Sequence, residues 1–87
     1  MKIKEGFLLR HVGENHIVVA VGAAAVDFRS IITLNETGAF LWERLTEETT
    51  EDALVAALLS EYDCDEVTAK QAVAGFVKKL DDHGFLV

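Results

Sequence analysis

The single cysteine, Cys64, and the three histidines, His11, His16 and His83, are the residues best equipped for nucleophilic or metal chemistry. A nucleophile needs a base within hydrogen-bond reach and a further group to orient that base. Cys64 lies between Asp63 and Asp65, and a thiol flanked by carboxylates is a poor nucleophile. The thiol therefore reads as a small residue in a connection between helices. His11 and His16 flank Gly13-Glu14. If those two residues form the turn, the imidazoles face each other across a hairpin and could share a metal ion. Zinc, however, takes three or four protein ligands, and the one acidic neighbour, Glu14, sits in the turn. Two surface histidines are the simpler reading, and neither a metal nor another cofactor is expected. His83, just before Gly84, suits the negative end of a helix. Glu47, Glu48, Glu51, Asp52, Asp65 and Glu66 gather where helices should start, which capping and the helix dipole explain. The six glycines are scattered and form no phosphate-binding loop. No catalytic constellation emerges, so an enzyme is not expected.

The charge narrows the partners. Residues 1–45 carry five acids and five bases; residues 46–87 carry ten acids and three bases, and so hold the whole net charge of −7. Phosphate neutralisation dominates affinity for DNA, so nucleic acid is not an expected partner. A negative field also disfavours anionic membranes. At 87 residues, 51% apolar and 26% charged, the chain has the composition of one globular domain, expected over residues 1–87. One cysteine precludes an internal disulfide. No run approaches the roughly 18 apolar residues of a membrane span, and the first residues do not resemble a signal peptide. A cytoplasmic setting is expected.

These residues are positioned by elements that change character near Leu34. Phe7–Val12 and Ile17–Val21 are rich in β-branched and aromatic residues and read as strands. Gly13-Glu14 fits a two-residue turn between them, pairing Val12 with Asn15 and His11 with His16; a three-residue turn would shift every pair. Ala25–Phe28 and Ile31–Leu34 read as a further short strand pair, turned at Arg29-Ser30. Beyond Leu34 the period is helical. Asn35 caps a helix to about Leu45, Thr49 or Thr50 one to about Tyr62, and Asp65 one that stops at Gly84. In the last, Ala69, Ala72, Val73, Phe76, Val77 and Leu80 share one arc at about 100° per residue. The fold class is α+β: a small antiparallel sheet of three or four N-terminal strands followed by three helices, winged helix-turn-helix-like in layout.

Two features exceed what a core needs. The strands are apolar on both faces, with Phe7, Leu9, Val18 and Ala20 on one and Leu8, Ile17, Val19 and Val21 on the other. A strand wet on one face would alternate. The third helix carries small or apolar residues on both flanks, Ala74 and Val77 on one and Ala72 and Gly75 on the other.

The junction Ile32-Thr33-Leu34-Asn35-Glu36-Thr37-Gly38-Ala39-Phe40-Leu41-Trp42-Glu43-Arg44-Leu45 resembles the PqqD family, as do its flanks Ala25–Phe28 and Lys79–Leu86. The resemblance extends from about Phe7 to Leu86. It implies a recognition element for ribosomally made, post-translationally modified peptides. Such domains bind the leader segment of a precursor and present it to a modifying enzyme, often a radical S-adenosylmethionine protein. The leader is implied to add as a strand beside the third strand and to lie over the third helix. The expected contacts are Ile31, Ile32, Thr33 and Leu34 on the strand, and Lys70, Val73, Ala74, Val77 and Lys78 on the helix, with Phe76 and Leu80 in the pocket floor and Lys79 an alternative to Lys78. Either flank of that helix could face the groove. Trp42 reads as core. Ile32→Pro is the expected probe of edge pairing. The alternatives are a winged-helix DNA-binding domain, poorly served by a third helix with lysines but no arginine, and a homodimer joined through the strand edge.

Overall fold

The computed structural model describes residues 1–22 and 32–87. Strand β1 (Phe7–Val12) turns into β2 (Asn15–Ala20), and β3 (Ile32–Leu34) completes an antiparallel sheet of order β1-β2-β3. Three helices follow: α1 (Glu36–Arg44), α2 (Glu51–Glu61) and α3 (Glu66–Asp82). The α+β reading holds. Ala25–Phe28, the Arg29-Ser30 turn and Ile31 lie outside the described residues.

The hairpin takes the two-residue turn. Gly13 has φ +61°, the left-handed conformation glycine adopts without strain, and Val12 pairs with Asn15 and His11 with His16. That register decides which backbone groups each strand offers. In a two-residue hairpin the pair flanking the turn is hydrogen-bonded, and such pairs alternate along the ladder. Asn15, Ile17 and Val19 therefore point their N–H and C=O at β1. The Val21 N–H, two residues further, donates to Gly6 on the β1 side at 2.7 Å, as this alternation requires. His16, Val18 and Ala20 face β3. Since His16 pairs with Leu34, Ile17 with Thr33 and Val18 with Ile32, Ile32 and Leu34 spend their backbone groups on β2. Thr33 points its own N–H and C=O outward.

Each helix begins on an anticipated cap. The Asn35 Oδ1 accepts from the Gly38 N–H at 2.7 Å, the Thr50 Oγ1 from Ala53 at 3.1 Å, and the Asp65 Oδ1 from Thr68 at 2.7 Å. The last bond holds the Asp65 carboxyl below its ordinary pKa. A carboxyl depressed on folding adds stability above its unfolded pKa and loses it as pH falls through the folded value. Asp65→Asn, which keeps the cap but not the charge, should flatten the fall in stability below about pH 4. Denaturant titrations of both proteins over that range read the slopes, and parallel slopes would deny Asp65 this role.

The sheet face carrying Phe7, Leu9 and Val18 meets Leu41, Trp42, Leu45, Leu54, Leu58, Val73, Leu80 and Phe85, with Trp42 fully buried as expected. The C-terminal segment closes this core. Phe85 is wholly buried, edge-on to Phe7 at 4.7 Å and to Trp42 at 5.6 Å. The N-terminal residues, for which the periodicity predicts no role, lie beside it: Ile3 is buried, bridges to Leu86 and donates its N–H to Leu45 O at 2.9 Å. Phe85→Ala is expected to cost about 3–5 kcal/mol, a large share of a small domain's stability. Urea unfolding measures it, and a loss below about 1 kcal/mol would mean the aromatic cluster does not hold the two termini down. No described helix is long and apolar enough to cross a membrane.

Candidate peptide-binding groove

Among the described residues β3 is an edge strand. Beside it runs an open groove of about 510 Å³. One wall is the β3–α1 junction: Thr33, Leu34, Asn35, Thr37, Gly38 and Leu41. The other is one flank of α3: Gln71, Ala72, Gly75, Phe76 and Lys79. The junction is held tightly. A Cβ on Gly38 would stand 3.1 Å from Asn35 Oδ1, 3.3 Å from the Phe76 ring and 3.4 Å from Leu34 Cβ. Glycine at that place lets α1 start against β3 and α3 at once. Gly75 is the opposite case. No atom of the described residues lies within 4 Å of where its Cβ would be, so among them its missing side chain serves no packing and leaves the groove floor low.

The expected contacts divide. Thr33 and Leu34 line the groove, Thr33 exposed and Leu34 with its side chain buried. Ile32 is half-buried against the core. Ile31 lies outside the described residues. On α3, Val73 is buried in the core and Val77 packs against it. Ala74 is exposed but is not part of the groove wall. Lys70 pairs with Glu66 at 3.0 Å, and Lys78 with Asp82 at 3.7 Å. Lys79 enters no ion pair among the described residues and stands in the groove. The groove therefore uses the Ala72–Gly75 flank of the two that the sequence leaves open, and its cation is Lys79. Gln71 and Thr37 are lining residues that apolar periodicity could not reveal, because both are polar.

The histidine pair behaves differently. His11 and His16 meet edge to face with Nδ1 atoms 2.6 Å apart, but no third His, Cys, Asp or Glu joins them among the described residues. Cys64 sits half-buried in the α2–α3 connection, as expected. Among the described residues the arrangement offers a β3 residue with outward backbone groups, a trough of mixed polar and apolar lining, and a cation outside any ion pair.

A sheet edge facing a helix across a trough can accept an extended peptide as an added strand. The sequence profile of the family described as Coenzyme PQQ synthesis protein D (PqqD) matches residues 18–86, and the chain belongs to that family. No curated protein matches it in sequence. Two solved structures share the fold. One, titled "TbiB1 in Complex with the TbiA(beta) Leader Peptide", has a TM-score of 0.77 at 21% identity and covers 99% of this chain and 94% of its own. The other, "Lasso peptide synthetase B1 complexed with the leader peptide", has a TM-score of 0.73 at 18% identity, covering 97% and 93%.

Proposed function

We propose that this protein is a non-catalytic module that captures the leader segment of a ribosomally made precursor peptide and presents it to a modifying enzyme, such as a radical S-adenosylmethionine protein. The observation that carries the reading is the outward-facing Thr33 backbone set beside the groove of about 510 Å³. Family membership and two neighbours solved with leader peptides support it. The leader adds to β3 as an extended strand and rests side chains on Ala72, Gly75 and Phe76, while a leader carboxylate meets Lys79.

Magnitudes decide how affinity is shared. Thr33 supplies one donor and one acceptor, each worth about 1 kcal/mol net. Two such bonds fall short of even millimolar binding, which takes about 4 kcal/mol. The trough must supply the rest by burying leader side chains at roughly 25 cal/mol per Å². Backbone pairing sets register, and the trough sets affinity and choice of leader.

The test is a titration of ¹⁵N-labelled protein with leader segments of short precursors encoded near its gene, against scrambled peptides. Shifts should concentrate at Thr33, Thr37, Gln71, Gly75 and Lys79. Leaders that shift only other residues, or do not bind by about 1 mM, would overturn the reading.

A further inference from the structure

A further hollow lies beside the groove at the first turn of α1. A second cavity of about 330 Å³ opens between that turn, the end of α2 and the start of α3, lined by Thr37, Leu58, Tyr62, Cys64, Thr68 and Ala72 among others. Thr37 and Ala72 line both cavities, so the two adjoin at these residues. Thr68, Ala72, Gly75 and Lys79 follow one another at steps of four, three and four residues, a single stripe on α3. From Thr68 to Lys79 that stripe is about 16 Å long. A three-residue strand reaches only about 10 Å. A chain that fills the stripe therefore runs on for about two residues past its pairing with β3.

The two ends differ in charge. Lys79 stands at one. Around Tyr62 at the other are Glu36, Glu61 and Asp63, exposed and in no ion pair among the described residues. Burial first, then the charges of Glu36, Glu61 and Glu43, push the Tyr62 hydroxyl pKa up. The floor beneath is apolar, with Leu58 and Ala69 buried.

We infer that this second pocket is an anchor subsite of the peptide groove, taking one large apolar side chain of the leader with a Lys or Arg beside it. The inference rests on the peptide-binding reading above. A basic residue answers the carboxylates around Tyr62, as a leader carboxylate answers Lys79 at the far end. The apolar side chain leaves water for a pocket already formed, so little ordering opposes it.

Cys64 in the pocket wall reports occupancy. The probe is a set of peptides selected on this protein from a displayed library of random 15-residue sequences. Bound winners should slow iodoacetamide alkylation of Cys64 about tenfold or more, and should carry Lys or Arg next to an aromatic residue or leucine. Cys64→Phe, which fills the pocket, should weaken the same peptides about tenfold or more. The alkylation readout needs no variant, so it stands even where Cys64→Phe misfolds. If Gly75→Leu removes binding but winners leave Cys64 fully reactive, or carry acidic residues at the anchor, the subsite is refuted and the main groove survives. If winners ignore Gly75→Leu as well, the peptide-binding reading falls with it.

Discussion

Replacing Gly75 with leucine is expected to raise stability by roughly 0.5–1 kcal/mol and to lower leader affinity about 100-fold. The two effects have opposite signs because they arise in different places. Inside α3, glycine costs helix stability through backbone entropy. Among the described residues nothing needs the space, since none of their atoms lies within 4 Å of its missing Cβ. A leucine there relieves the cost and projects into the trough lined by Phe76 and Ala72, where the proposed peptide would lie. Urea unfolding and peptide titration on one preparation measure both. A variant that is more stable and binds as before would show that the trough is not the site. The signs would be hard to produce by misfolding, which lowers stability and binding together.

Proline at Thr33 and proline at Ile32 should fail in different ways. Thr33→Pro removes an outward N–H and leaves every bond to β2 intact, and edge strands tolerate proline where the N–H faces solvent. The variant should fold and bind leader about fivefold more weakly, the equivalent of one hydrogen bond of about 1 kcal/mol. Ile32→Pro removes a donor already spent on Val18 and disturbs a side chain packed on the core. It should lose at least about 1 kcal/mol of stability before any question of binding arises. The probe suggested by sequence alone, Ile32→Pro, thus breaks the sheet and not its open edge. Reversed behaviour of the two variants would mean that the ladder alternates the other way.

Much of the fold was legible because local rules and tertiary packing agree. Gly13 fixed the turn, the turn fixed the register, and Asn35, Thr50 and Asp65 each cap the helix expected of them. Trp42 was readable as core by its neighbours. The site was legible only in outline. Apolar periodicity points to a helix's buried arc, so it favoured Val73 and Val77, which the core consumes. Groove walls are built from what lies at the margin of that arc: Gln71, Ala72, Gly75 and Lys79. Which of two margins is open depends on how α3 lies against the β3–α1 junction, a contact set by Gly38 and Phe76 across long sequence separation. The choice between Lys78 and Lys79 needed the ion pairs, since an unspent cation cannot be told from a paired one by spacing.

Hydrogen exchange at single amides tests the strand pairing most directly. In the free protein, Ile32 and Leu34 should be protected by β2, and the Thr33 N–H should exchange quickly. Saturating leader should slow Thr33 by about tenfold or more, in step with occupancy. A saturated complex in which the Thr33 amide exchanges as fast as before would contradict the pairing of an added chain with this edge.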